Sequence, residues 1–193
     1  MKTLILETST EKSCLILSDS YQIVDFLLLP GGPQLSQRLA LEVSTLLKKH
    51  SFLPEKIAVG QGPGSFTGIR VGAALAKALA FGWKIPLFGF CSLQAFSPPQ
   101  PPEFAVVFDA KSGGVYGWMP NQKAALLSIP EATAALSRVP LIASPHPSVL
   151  QKRLPLSSSW IETDPNLPLL ASETLFTSLK LDYLDLKPSG ALS

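Results

Sequence analysis

The sequence is poor in charge, in histidine and in cysteine, and each shortage narrows the possible functions. Charged residues make up 16% of the chain and the net charge is only +2, so nucleic-acid binding by this chain alone is not indicated. The two histidines, His50 and His146, have no partner at metal-binding spacing and no carboxylate cluster beside them, which argues against the usual kind of metal site. The two cysteines, Cys14 and Cys91, form no Cys-x-x-Cys pair, and we expect buried free thiols in a reducing compartment.

Long apolar segments are missing as well. The apolar run at residues 4–6 stops at Glu7, which argues against a signal peptide. The most apolar stretch, residues 71–83, contains Lys77 and is shorter than the roughly 20 residues that a membrane span needs. We therefore expect a soluble, cytoplasmic protein without membrane association. Because 46% of the residues are hydrophobic and few are charged, we also expect an apolar interface with another subunit.

The hydrophobic patterns predict an α/β protein of two related lobes, residues 1–97 and 103–193, joined by a proline-rich linker at residues 98–102. In the first lobe we expect three strands, a helix from Pro33 to His50, a strand, a helix and a further strand (residues 2–9, 12–19, 21–29, 33–50, 56–60, 67–83 and 86–90). In the second lobe we expect three strands, a short helix, a strand and a last helix (residues 104–108, 115–119, 123–129, 130–137, 140–143 and 169–179). Each lobe thus opens with a β-meander and continues with alternating helices and strands.

The most specific motif is the sequence Gly-Gln-Gly-Pro-Gly-Ser-Phe-Thr-Gly-Ile-Arg at residues 60–70. Gly62, Pro63 and Gly64 fit a tight turn, and Ser65 or Thr67 can cap the helix that follows. Backbone N–H groups left free by such a turn favour an anion or a tightly docked partner. The motif is not a Walker loop, because it lacks the Gly-Lys-Ser/Thr ending.

The helix after this turn carries a stripe of small residues at four-residue spacing: Gly68, Gly72, Ala76 and Ala80. A stripe without side chains lets another helix approach closely. It predicts either an interface with a partner's helix or packing against the helix at residues 33–50, and both can hold together. If the stripe is an interface, Gly72→Trp should abolish pairing while the chain stays folded.

Three side chains are candidates for chemistry. Glu7 precedes a polar turn that could hold phosphate or a metal ion, but the turn lacks the glycines that phosphate binding usually requires. Asp109 is either a catalytic carboxylate or the cap of the turn that follows it, and the cap is favoured. Ser65 does not lie in Gly-x-Ser-x-Gly, so no catalytic triad is indicated.

Residues 4–10, 60–70 and 109–111 together resemble the bacterial TsaB (YeaZ) family. The resemblance covers the first lobe to about Phe96 and residues 109–116 of the second. It implies an actin/Hsp70-like (ASKHA) fold of two related lobes. It also implies a non-catalytic subunit, a pseudoenzyme without a cofactor, of the complex that forms threonylcarbamoyladenosine beside the anticodon of tRNAs that read codons starting with A.

The resemblance further implies partners. These are a catalytic TsaD-like paralogue that holds the metal and a small TsaE-like ATPase, with tRNA reached only through the complex and a homodimer possible through the same face. It assigns no catalytic and no metal-binding residue to this chain. The implied partner interface consists of Leu35, Leu39, Gly68, Ile69, Gly72, Ala73 and Ala76. The implied family turn consists of Gly62, Pro63, Gly64, Ser65, Phe66, Thr67 and Arg70.

The chain departs from the family pattern at Glu7, where aspartate is usual, at Leu35, where histidine is common, and at Lys111, where arginine is usual. The second lobe is also short and rich in proline. These departures argue against residual nucleotide binding and leave the pairing helix intact. Two other classes stay open: a metalloprotease, which would need a histidine pair at metal spacing, and an actin-like ATPase or sugar kinase. Tight ATP binding by the isolated chain would indicate the latter.

Overall fold

The structure is a computed structural model that describes residues 1–99 and 103–179. The described residues form eleven strands and six helices. The first half comprises β1 (Lys2–Glu7), β2 (Lys12–Asp19), β3 (Gln22–Pro30), α1 (Leu35–Lys49), β4 (Lys56–Gly60), α2 (Phe66–Trp83), β5 (Leu87–Phe90) and α3 (Ser92–Ala95). The second half comprises β6 (Phe104–Asp109), β7 (Val115–Trp118), β8 (Ala125–Leu127), α4 (Ile129–Leu136), β9 (Leu141–Ser144), α5 (Pro147–Gln151), β10 (Ser159–Glu162), α6 (Leu167–Ala171) and β11 (Thr177–Leu179).

The strands form two mixed sheets. The first has six strands in the order β11-β5-β4-β1-β2-β3, and the second has five in the order β10-β9-β6-β7-β8. In both sheets an antiparallel meander (β1-β2-β3 and β6-β7-β8) is extended by parallel strands. This repeated arrangement confirms the predicted α/β fold of two related units, an actin-like architecture.

Buried side chains alternate between the two faces of the central strands, and the core therefore consists of three clusters. Leu4 and Leu6 of β1 lie with α1 and α2 on one face of the first sheet, whereas Ile5 lies on the other face, against the second sheet. Because successive side chains of a strand point to opposite faces, β1 is apolar along its whole length and is covered on both faces. The short helices α3 and α6 contribute to the cluster between the sheets, and α4 and α5 cover the far face of the second sheet.

Helix α1 follows its predicted pattern. Its buried residues have the spacing of a single helical stripe: Leu35, Leu39, Val43 and Leu46. Its C-terminal end is tied to β3, where the carboxylate of Asp25 accepts from Lys49 Nζ at 2.8 Å and lies 2.6 Å from His50 Nε2. These two neighbours lower the pKa of Asp25 to about 2.

The prediction of a last helix at residues 169–179 is wrong. Residues 169–179 form only the end of α6 and then β11, because Glu173 adopts a left-handed conformation (φ 64°) that stops the helix. Sequence patterns also missed α3, α5 and β10, which are only four or five residues long. The other predicted elements are confirmed with shifts of a few residues at their ends.

The predicted lobe boundaries stay a prediction. Residues 100–102 of the linker and residues 180–193 lie outside the described residues. The strand β11 pairs antiparallel with β5, so the last described residues belong to the first sheet and not to the second. Among the described helices, none has the length and apolar character needed to cross a membrane.

Candidate functional site

The glycine turn docks on the first hairpin, formed by β1, β2 and the turn between them. Gly62 and Gly64 have φ values of 90° and 151°, which favour glycine. A side chain at Gly64 would come within 3 Å of the backbone oxygen of Ser9. The N–H of Ser65 donates to that same oxygen at 2.6 Å, and the N–H of Gly62 donates to Ser92 Oγ at 3.1 Å. These two N–H groups are therefore occupied by the chain itself and are not free for the anion or docked partner that the sequence suggested.

The residues of the family turn have different environments. Ser65 is the N-cap of α2 and accepts from the N–H of Gly68 at 3.3 Å, which confirms one of the two predicted caps. Phe66 is exposed, and the guanidinium of Arg70 lies 3.6 Å from the centroid of its ring. Thr67 is also exposed, whereas Gly62 is buried and Pro63 is half-buried.

The small-residue stripe of α2 points into the chain. Gly68 and Gly72 lie on Thr8, whose hydroxyl donates to the carbonyl of Gly68 at 2.9 Å. Ala76 and Ala80 are fully buried in the cluster that also contains residues of α1. The internal-packing alternative therefore describes what the stripe contacts here. The expected outcome of Gly72→Trp is wrong, because any Cβ at this position would come within 3 Å of Thr8 Oγ1 and would disturb the fold.

Six of the seven residues carried over as a partner interface are buried inside the chain, and Ile69 is half-buried. The exposed side of α2 carries a second series of small residues at four-residue spacing, Ala74, Ala78 and Gly82. This series, here called the outer face of α2, lies on the opposite side of the helix from the buried stripe, since two residues turn a helix by about 200°. The spacing was present in the sequence, but the spacing alone could not show which stripe faces outward.

A groove of about 840 Å³ runs between α1 and α2 beside the outer face. Leu75, Leu79 and Trp83 line it from α2, and Ala40, Val43, Ser44, Leu47 and Lys48 line it from α1. Leu53, just beyond α1, also lines the groove and is 79% exposed. An apolar surface of this kind, exposed between two helices, is typical of a site where another helix packs.

Glu7 lies at the end of β1 with its carboxyl group fully buried. Its Oε1 accepts from the N–H of Ser9 at 2.6 Å, whereas Oε2 has no hydrogen-bond donor in good geometry. Burial raises the pKa of Glu7, and hydrogen bonds from Ser9 and Ser92 only partly oppose this. Cys14, opposite Glu7 in the sheet, is also buried, and burial together with the nearby Glu7 raises the pKa of its thiol well above the usual value. Cys91 is a free thiol that is only partly buried.

The turn between β1 and β2 is occupied by ion pairs with the second sheet. Glu11 lies 3.2 Å from Lys111 Nζ and 2.8 Å from His146 Nε2. The next residue, Lys12, lies 2.6 Å from a carboxylate oxygen of Glu162 and 2.9 Å from one of Asp164. The turn that sequence analysis considered for phosphate or metal is thus engaged within the chain.

Asp109 caps the turn after β6, as predicted. Its Oδ1 accepts from the N–H of Lys111 at 2.9 Å and from Arg153 Nη1 at 2.6 Å. A carboxylate held in this way positions the turn and the side chain of Arg153. Within residues 1–99 and 103–179, no three histidine, cysteine, aspartate or glutamate side chains are grouped so as to hold a metal ion.

Comparisons with known proteins agree on one family. The family model described as TsaD, tRNA N6-adenosine threonylcarbamoyltransferase, matches residues 32–153. The TsaB protein of Bacillus subtilis, a tRNA threonylcarbamoyladenosine biosynthesis protein, is 34% identical over 53% of this chain and 48% of its own length. The protein of the same name from Escherichia coli is 31% identical over 64% of this chain and 56% of its own length. The chain thus spans about half the length of these curated relatives.

Solved structures agree on the fold. YeaZ from Pseudomonas aeruginosa superposes with a TM-score of 0.67 at 22% identity, covering 89% of this chain and 91% of that one. A protein described as similar to peptidase YeaZ from Pseudomonas aeruginosa superposes with a TM-score of 0.69, also at 22% identity, with 89% of each chain covered. Since the TsaD family model covers more than half of the chain, and TsaB relatives and YeaZ structures accompany it, the chain belongs to the TsaB (YeaZ) family of TsaD-like proteins.

Proposed function

We propose that this chain is a non-catalytic scaffold and activator in the formation of threonylcarbamoyladenosine next to the anticodon of tRNAs that read codons starting with A. It pairs with a catalytic TsaD-like paralogue and helps to recruit a TsaE-like ATPase. The names of the TsaB relatives support the pathway, and the match to a TsaD model supports descent from a common pairing fold.

The observation that carries the pairing is the outer face of α2 with its adjoining groove. Ala74, Ala78 and Gly82 leave the helix backbone open to close approach, and Leu75 and Leu79 offer apolar surface beside them. We place the partner's helix on this face. The residues carried over from the family would then support the face from inside the chain. A homodimer through the same face would compete with the paralogue.

Two features of the first hairpin and the second sheet support a non-catalytic role. The charged side chains of the β1–β2 turn are engaged across the chain, and Asp109 is held by Arg153 and a backbone N–H. A catalytic carboxylate or phosphate loop would need its polar groups directed at a substrate. Glu7, the remaining acidic candidate, is fully buried.

The test is co-purification of this chain with the TsaD-like paralogue from the same genome. Ala78→Trp should weaken the complex at least about a hundredfold, because the indole would separate the two helices. Ala134→Trp is the matched control, since Ala134 is an exposed alanine on α4, away from the proposed face. Circular dichroism should show both variants folded.

A complex that survives Ala78→Trp would move the pairing surface elsewhere. If no complex forms with the unaltered chain, even with nucleotide and the TsaE-like ATPase present, the scaffold proposal fails. Tight ATP binding by the isolated chain would then favour an actin-like ATPase, and calorimetric titration with ATP measures this directly.

A further inference from the structure

The outer face of α2 continues toward the beginning of the helix through two larger side chains. Phe66, Arg70, Ala74 and Ala78 follow one another at four-residue spacing, and all four are exposed. Residues four apart lie on neighbouring turns of the same side of a helix. A partner's helix that packs on Ala74 and Ala78 therefore comes within one helical turn of Arg70.

Arg70 is held in place by an aromatic ring on the same side of the helix. Its Cζ atom lies 3.6 Å from the centroid of the Phe66 ring, and Phe66 is 56% exposed. A guanidinium stacked on a ring keeps N–H donors available for a carboxylate, which it can bind with two parallel hydrogen bonds. Because the ring already restricts the side chain, Arg70 loses less conformational freedom when it binds such a group.

In the part of the chain that the structure describes, no carboxylate forms an ion pair with Arg70. Helix α2 contains no aspartate or glutamate, and the one carboxylate of α1, Glu42, already accepts from Arg38 Nη2 at 2.9 Å. The two helices carry five cationic side chains: Arg38, Lys48, Lys49, Arg70 and Lys77. The surface that α1 and α2 form together therefore has an excess of positive charge.

We propose that the pairing face accepts a helix that carries a carboxylate opposite Arg70, and that it selects such a helix over a second copy of this chain. A partner that covers Arg70 removes water from the guanidinium, and this is costly unless the partner supplies a charge of opposite sign. Complementary charge beside an apolar contact also fixes the position of one helix along the other. This inference rests on the proposed function for the position of the pairing face.

A second copy of this chain fits the face in side-chain size but not in charge. It presents the same small residues to a facing helix. Its α2 has no carboxylate for Arg70, and its Glu42 is engaged by Arg38. Two copies would therefore cover two cations without a counter-charge, which weakens self-association relative to pairing with an acidic helix.

The test measures the affinity of this chain for the TsaD-like paralogue and, separately, its self-association. Arg70→Gln should weaken the complex about tenfold and Arg70→Glu about a hundredfold, because the variants lose or repel the partner's carboxylate. Phe66→Ala keeps the charge but removes the ring, and should weaken the complex about threefold. Calorimetric titration gives these affinities, and added salt should weaken the unaltered complex more than the complex of Arg70→Gln.

Self-association should change in the opposite direction. Arg70→Gln removes the cation that a second copy cannot neutralise, so sedimentation equilibrium should show stronger self-association than for the unaltered chain. A residue that only stabilises α2 would weaken both assemblies when it is changed. Arg138→Glu is the matched control, since Arg138 is an exposed arginine just beyond α4, and it should leave both affinities unchanged. Circular dichroism should show every variant folded.

The outcomes separate this inference from the proposed function. A complex that is lost with Ala78→Trp but keeps its affinity with Arg70→Glu leaves the pairing face in place and overturns the role of Arg70. The selection against a second copy is overturned if Arg70→Gln fails to strengthen self-association. If the unaltered chain forms no complex with the paralogue, the proposed function fails together with this inference.

Discussion

The two hairpins that open the two sheets have the same local form but opposite surroundings. Each consists of two antiparallel strands with an acidic residue at the end of the first, Glu7 in β1 and Asp109 in β6. The end of the first hairpin is buried beneath α2 and the glycine turn. The turn of the second, at residues 110–113, is at the surface, and its carboxylate pairs with Arg153. The same element therefore serves as a packing centre in one sheet and as a surface turn in the other.

Glycines mark the difference. Around the first hairpin, side chains at Gly60, Gly64, Gly68 and Gly72 would each come within 3 Å of residues 7–9. In the second hairpin turn, a side chain at Gly113 would meet no atom within 4 Å. The glycine-rich motif therefore lets the backbone approach the first hairpin closely.

The comparison between the two hairpins is tested most strongly by adding a side chain at Gly72. Gly72→Ala should lower the free energy of unfolding by roughly 1–3 kcal/mol, because the added methyl group meets the side chain of Thr8, whose hydroxyl is held by the carbonyl of Gly68. Urea denaturation measures the loss. Gly82→Ala in the same helix is the matched control and should stabilise the chain by up to about 1 kcal/mol, since a methyl group there meets no atom within 4 Å. Equal effects of the two changes would show that the close packing at Thr8 is not a constraint.

A smaller effect follows from the buried carboxyl of Glu7. Its pKa is raised above 4.5 in the folded chain, so the folded state holds the proton more tightly than the unfolded state does. The stability that this proton contributes is complete below pH 4.5 and is lost as the pH rises through the folded-state pKa. Glu7→Gln should remove this contribution, so that the stability of the variant relative to the unaltered chain increases with pH.

Urea titrations between pH 4.5 and pH 8 check this prediction. Only the difference between the two proteins matters, because other groups titrate equally in both. Two stability curves that stay parallel across this range would mean that Glu7 is ionised in the folded chain, and its burial would then need a cation or water as a partner.

The smallest effect belongs to the second hairpin. Asp109→Asn keeps an oxygen for the N–H of Lys111 but loses the ion pair with Arg153, which is partly exposed, so we expect a loss of about 1 kcal/mol or less. Arg153→Gln should cost a similar amount, and the double variant should cost little more than either single change. Additive losses in thermal or urea denaturation would contradict a direct coupling between the two side chains.

Sequence reasoning worked best where periodicity is strong and elements are long. The meander β1-β2-β3 and the helices α1 and α2 follow from alternating and helical patterns. It worked less well for the short elements α3, α5 and β10, where a single turn of helix or a short edge strand has too few residues to show a period. The residues of the family turn could be recognised, but not that Ser9 and Ser92 occupy its N–H groups, because those contacts join segments far apart in sequence.

The position of the proposed pairing face shows the same limit. A four-residue spacing of small residues occurs twice on α2, and only the tertiary structure shows that Gly68 and Gly72 face Thr8 while Ala74 and Ala78 face outward. The ion pairs of Glu11 and Lys12 were likewise beyond prediction, since their partners lie 100 or more residues further along the chain.

The return of β11 to the first sheet has a consequence for the order of events during synthesis. Thr177–Leu179 complete the edge beside β5, and Glu173 pairs with Lys56 and accepts from the hydroxyl of Thr3 at 2.8 Å. A nascent chain that has left the ribosome only as far as the proline-rich segment holds most of the first sheet but not its last strand, and the ammonium group of Lys56 has no carboxylate there. The first sheet can therefore be finished only after the second has been made, which ties the folding of the N-terminal half to the completion of the C-terminal half.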